Sequence, residues 1–146
     1  KNLFKEIIYI NINNKMVKII NIENKNQLLA AKYKYEMIIF YVYGEKCKPC
    51  QILKPMLKEL LENNENYGIV VAMINFMTSK EINEYFNLKS IPYLVFSKDC
   101  KFINTIQSSK IELVKPAIEE SFGIELIGKE EEKKDEEEDD FMDFDF

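Results

Sequence analysis

Apolar residues along this chain alternate between two periods. LFKEIIYINI (3–12) and MVKIINI (16–22), joined by an Asn-rich turn, read as two strands. MIIFYVY (37–43) and GIVVAMINF (68–76) are continuous apolar runs rich in β-branched and aromatic residues. They are too short for typical helices and fit strands buried on both faces of a parallel or mixed sheet. SIPYLVFS (90–97) and KFINTI (101–106) add two more strands around the turn SKDC. Between these runs the spacing becomes helical. Asn24 is placed to cap a helix running to about Tyr35. Ile52, Leu53, Met56, Leu57, Leu60 and Leu61 predict one buried helical face, with Lys54, Lys58, Glu59 and Glu62 opposite. SKEINEYF (79–86) is a short helix with Ser79 as its cap, and 109–122 is the last helix. Pro116 lacks the backbone donor, so that helix is kinked or starts later than Ser109. Strands alternating with helices, then a hairpin and a helix, predict an α/β sandwich around a central mixed sheet.

The pattern stops at Gly128, and charge divides the chain at the same place. Residues 129–146 carry eleven acids and three lysines, net −8, against net +3 for residues 1–128. The predicted organisation is an N-terminal extension with a strand (1–15), a folded domain (16–124) and a disordered acidic tail (125–146). In that tail Phe141, Phe144 and Phe146 alternate with Asp140, Asp143 and Asp145. A solvated solubility tail accounts for the charge. The interspersed aromatics also suit a short docking motif for a basic protein partner.

The chain has no Arg, His or Trp, so no histidine can serve as base or metal ligand. Three cysteines are too few, and odd in number, for a secreted disulfide framework. No apolar run is long enough to span a membrane, and nothing resembles a phosphate loop. The chain opens on Lys1 rather than Met, which reads as a processed or truncated N-terminus. The expected compartment is the cytoplasm, with organellar or secretory placement as alternatives.

The chemistry is concentrated in GEKCKPCQILKPM (44–56). Zinc wants four ligands, commonly two close pairs of Cys or His, and here there is one pair, Cys47 and Cys50, with a distant Cys100. No metal site is therefore expected within the monomer, and a pair bridged across a dimer is the weaker variant. Two inert core thiols fit poorly, because the pair falls between a strand end and a helix start. A redox dithiol has a physical reason at each position. Cys47 sits just before the helix, where unsatisfied N–H groups and the helix dipole favour a thiolate. Lys46 and Lys48 push the same way. Pro49 stands at the helix start, where its missing N–H costs nothing. Cys50, further inside, is the natural resolver of a mixed disulfide. Cys100, in a turn where glycine would be expected, reads as a loop thiol, with a regulatory or intermolecular disulfide as the alternative.

CxPC after an apolar strand, Pro55 five residues past the second cysteine, and Ile91–Pro92 in SIPYLVF together resemble the thioredoxin family, over about Met16 to Phe122. The resemblance implies a thioredoxin fold, with helices on both faces of the sheet and the N-terminal strand as an addition. It also implies that Ile91–Pro92 is a cis-proline dipeptide facing the dithiol, with the backbone before the proline binding substrate as an extra strand. The implied activity is thiol–disulfide exchange on protein disulfides, without a cofactor, recharged by a thiol reductant such as thioredoxin reductase or glutathione. Neither nucleic acid nor membrane is an expected partner. The sequence departs from the family at Lys46 (usually Trp), Lys48 (usually Gly), Tyr41 (a buried acid), Met73 (the lysine paired with that acid) and Ser108 (a glycine). These departures predict weakened general reductase activity with the dithiol retained. The alternative function is a thioredoxin-fold binding adaptor or co-chaperone acting through the tail.

Overall fold

The computed structural model describes residues 6–10 and 16–128. Six strands form one sheet: β1 (Glu6–Ile10), β2 (Met16–Ile22), β3 (Met37–Tyr43), β4 (Val70–Asn75), β5 (Tyr93–Lys98) and β6 (Lys101–Ile106). Their spatial order is β1-β2-β4-β3-β5-β6. β2, β4 and β3 run parallel, while β1, β5 and β6 are antiparallel to their neighbours. The helices are α1 (Lys25–Lys34), α2 (Lys48–Glu62), α3 (Lys80–Tyr85) and α4 (Ile111–Phe122). This is the thioredoxin fold, extended by the N-terminal strand at one sheet edge. The acidic-aromatic segment from 129 onward lies outside the described residues.

The sheet is covered on both sides, which is why its central strands are apolar throughout. β3 is buried at every position from Ile38 to Val42. Alternate side chains enter two cores. Tyr41, Leu94 and Phe96 pack with Leu53 and Leu57 of α2 and with Ile118 and Phe122 of α4. Phe40 and Val42 pack on the other face with Leu28 and Ala31 of α1 and Ile82 of α3. β6 closes the far edge and is largely exposed.

Side chains cap α1 and α2, whereas α3 and α4 begin without a side-chain cap. The Asn24 side chain accepts the Gln27 N–H at 2.9 Å and opens α1. Ser79 stands at the start of α3, but its buried hydroxyl caps nothing. α4 begins at Ile111 and accommodates Pro116 in its second turn. The face of α2 also differs from the sequence pattern. Cys50, Leu53, Leu57, Leu60 and Leu61 are buried, whereas Ile52 and Met56 are exposed. At about 100° per residue those two lie a quarter turn or more from the centre of the buried stripe. Glu62, expected on the polar side, is buried in the last turn, with its carboxylate 3.2 Å from the Lys58 ammonium.

Beyond α4 the chain turns at Gly123 in the left-handed region (φ +68°), where glycine carries no Cβ penalty. It then folds back, with Leu126 buried. Asn64 fastens this strap: its amide nitrogen donates to the carbonyls of Leu60 (2.8 Å) and Ile127 (3.0 Å), and its oxygen accepts the Ile127 N–H (2.8 Å). The Tyr67 hydroxyl adds a bond to the Glu125 carbonyl at 3.0 Å. Asn64 follows the C-terminus of α2, so the clasp lies about 22 Å from Cys47 along the fifteen-residue helix.

Asn64→Ala removes all three bonds at a buried site and is expected to cost about 1–3 kcal/mol. Urea unfolding checks this; an unchanged midpoint would show that the strap contributes nothing to stability.

Candidate active site

β3 ends at Tyr43, and α2 begins at Lys48 after a four-residue connection. The Cys47 N–H donates to the Gly44 carbonyl at 3.2 Å, closing this turn. Cys47 is the N-cap residue, with extended backbone (φ −86°, ψ 104°). Its Sγ accepts the Cys50 N–H at 3.2 Å. The sulfur therefore takes the place that a Ser or Asp oxygen holds in an ordinary N-cap, satisfying one of the four orphan donors of the first turn. Lys48 and Pro49 are the first two helical residues, so the proline breaks no bond in the ladder. Cys47 and Cys50 are joined by a disulfide, with Cα atoms 5.3 Å apart. Cys47 is half-buried and Cys50 buried, while Lys46 and Lys48 are exposed on either side of Cys47.

The second anchor arrives from the loop before β5. The Ile91–Pro92 peptide is cis. The Ile91 side chain lies against the dithiol turn: a Cβ placed on Gly44 would stand 2.8 Å from Ile91 Cδ1 and 3.5 Å from Cys47 Cβ. Two motifs about 40 residues apart in the chain thus meet at Gly44. Gly44 escapes the sequence reading, although a glycine between a strand end and a cysteine loop was a usable signal. A third loop joins through Ser90, whose hydroxyl is 2.6 Å from the Gln107 side-chain oxygen. In that loop the Ser108 hydroxyl accepts the Lys110 N–H at 3.0 Å.

Beneath the dithiol lies Tyr41, which is 1% exposed. Its hydroxyl donates to the Cys50 carbonyl at 2.6 Å. Burial pushes this phenol well above the ordinary tyrosine range, so it stays neutral. Met73 is its partner on β4. The interior of the site is therefore uncharged where the family places an acid and a lysine. Glu45 instead lies at the exposed rim, 3.4 Å from the Asn75 side-chain nitrogen. Burial and the Glu45 carboxylate together raise the Tyr43 hydroxyl. Phe76 and Met77 follow β4 and are exposed.

Cys100 is not brought to this site. It is exposed at the opposite end of β5, in a turn where Asp99 and Cys100 both have positive φ (52° and 67°). That backbone explains why the sequence position looks like a glycine site.

A disulfide-forming cysteine pair that caps a helix, packed against a cis-proline loop on a mixed sheet, defines a thioredoxin-fold dithiol protein. The thioredoxin family model matches residues 15–119, and the chain belongs to the thioredoxin family. It is 27% identical to a thioredoxin of Chlamydia caviae over 95 residues, which is 65% of this chain and 87% of the relative. A thioredoxin of Chlamydia pneumoniae is 31% identical over 84 residues, 58% of this chain and 76% of that one. Among solved structures, Plasmodium falciparum thioredoxin superposes with a TM-score of 0.62 at 19% identity, covering 68% of this chain and 96% of its own. Its likeness extends to the fold.

Gly44→Ala is expected to displace the Ile91 side chain and cost about 1 kcal/mol, a mild overpacking cost because the clashing atom is a side-chain tip. Ile91→Ala, which removes that atom, should cancel the cost. A double-mutant cycle by urea unfolding measures the coupling, and additive effects would place Ile91 away from Gly44.

Proposed function

We propose that this protein is a thiol–disulfide oxidoreductase of the thioredoxin type, cycling between the Cys47–Cys50 disulfide and the dithiol. The observation that carries the reading is the Cys47 sulfur, which accepts the Cys50 N–H at the open end of α2. A thiolate there gains a charge-assisted hydrogen bond and the favourable end of the helix dipole. Cys47, the more accessible sulfur, attacks a substrate disulfide and expels one substrate thiolate. Cys50 then gives up its proton and attacks the Cys47 sulfur, releasing the second substrate thiolate and closing the 47–50 disulfide. The backbone at Ile91, ahead of Pro92, offers the substrate an edge to pair with. A thiol reductant of the thioredoxin reductase or glutathione type returns the pair to the dithiol.

The cationic rim tunes this cycle. Lys46 and Lys48 are exposed beside Cys47. Both stabilise the thiolate and hence the reduced form, which makes the disulfide more oxidising.

Turnover tests the function directly. The protein should reduce insulin with dithiothreitol, and Cys47→Ser should abolish the reaction. With Cys100→Ser removing the exposed third thiol, the thiol retained in Cys50→Ser should alkylate faster at neutral pH than the thiol retained in Cys47→Ser. A reversed order assigns the attack to Cys50. An inactive parent protein would favour the binding-adaptor alternative.

The rim has its own test. Lys46→Trp with Lys48→Gly should make the pair more reducing by about 20–30 mV, since exposed charges are screened. Equilibration against glutathione buffers measures it, and a potential that is unchanged or higher removes the lysines from the explanation.

A further inference from the structure

We propose that Tyr41 is the positioning residue for the resolving step, its buried hydroxyl anchoring the Cys50 carbonyl so that the Cys50 sulfur is held in line with Cys47. The inference rests on the exchange reading above and adds a residue to it.

Three observations converge. The first is the bond itself: at 2.6 Å, between a buried hydroxyl and a buried cysteine's carbonyl, it is short even for an O–H donor. The second is its place in α2. Pro55 has no N–H for the Gln51 carbonyl, so the helix ladder is interrupted beside Cys50. A bond reaching Cys50 from outside the helix therefore reinforces the residue next to the missing rung, while the first-turn ladder itself is formed, as in the Gln51 N–H donating to the Cys47 carbonyl at 3.1 Å. Tyr41 supplies that outside bond from β3, a strand held on both sides by β4 and β5. The third is rigidity. Tyr41 is among the largest fully buried side chains, and its ring stacks on Tyr43 with centroids 6.2 Å apart. A hydroxyl carried by that ring has little freedom to leave the carbonyl.

The role is positioning and not proton transfer. The hydroxyl's proton is committed to a carbonyl, and burial pushes its ionisation upward, so it accepts nothing from a cysteine near neutral pH. The titratable groups at the dithiol end of the surrounding elements are Tyr41 and Tyr43 of β3, Glu45 and Lys46 of the loop, Lys48 and Lys54 in the first two turns of α2, Lys89 before the cis-proline and Tyr93 at the start of β5. β4 contributes Met73 and Asn75, neither of which carries a charge. Glu45, the carboxylate of this set, is exposed at the rim against Asn75. The Cys50 proton accordingly leaves to water.

The step can be isolated in the full chain with Cys100→Ser, which removes the exposed third thiol. The reduced protein attacks dithiobis(nitrobenzoate) through Cys47 at acid pH, releasing one aryl thiolate and leaving an aryl mixed disulfide. A jump to higher pH lets Cys50 attack the Cys47 sulfur, form the 47–50 disulfide and release the second aryl thiolate. Tyr41→Phe is expected to slow the second release about fivefold at every pH, the factor that one lost hydrogen bond of ordinary strength produces. The rate of adduct formation and the pH midpoint of the second release should stay where they are. An unchanged second release overturns the proposal. A moved midpoint also overturns it, because Tyr41 would then act on the proton. Failure to fold would instead accelerate adduct formation by exposing both thiols. For that case the unsubstituted protein provides the test: its Tyr41 hydroxyl proton should exchange slowly by NMR, and rapid exchange overturns the anchor. If the parent protein forms no adduct at all, the exchange reading falls and takes this inference with it.

Discussion

The site depends on how the first turn of α2 is satisfied. A helix start leaves four N–H groups without partners, and here one of them is met by the sulfur of Cys47. The same turn is held from below by the Tyr41 hydroxyl on the Cys50 carbonyl. The first bond reaches the half-buried sulfur itself, and the second reaches the backbone of the buried cysteine. Both lie at the end of β3, which runs through the middle of the sheet paired with β4 and β5.

Charge is distributed unusually around this point. The rim carries Lys46, Lys48 and Glu45, all in contact with solvent, while the interior beneath Cys50 is neutral, with Tyr41 and Met73 as neighbours across β3 and β4. An acid–lysine pair buried there would have to be desolvated, which costs several kcal/mol per ion before any attraction is counted. The phenol avoids that cost and substitutes a neutral hydrogen bond. On the reading proposed above, the labour is divided: electrostatics act on Cys47 from outside, and geometry acts on Cys50 from inside.

The far end of α2 is organised separately. Asn64 ties the strap after α4 to the end of the helix, and Gly128, the last described residue, follows directly. Ile127 is thus held about a full α2 length from the dithiol. Cys100 too lies at the end of β5 away from Pro92, in a turn strained by its own backbone.

How much of this was legible in the sequence follows from the range of each interaction. Element order, the apolar central strands, the Asn24 cap and the dithiol at a helix start are local patterns, and the chain displays them directly. The cis-proline partner was readable because a second motif, SIPYLVF, came with the first. The rest depended on which side chains face one another across the fold. Ile52 and Met56 look like core by composition, but the stripe that meets the sheet passes them by. Glu62 looks like surface, but the end of α2 is covered. Ser79 sits in a cap position without bonding the helix. Gly44 matters only because Ile91 packs against it from a distant loop. Tyr41 could be read from the sequence as the loss of an acid; only the packing of β3 beneath α2 turned that loss into a hydrogen bond on Cys50. Periodicity and caps are properties of neighbouring residues and belong to the sequence, whereas facing, burial and the partner of a buried hydroxyl are properties of the folded chain.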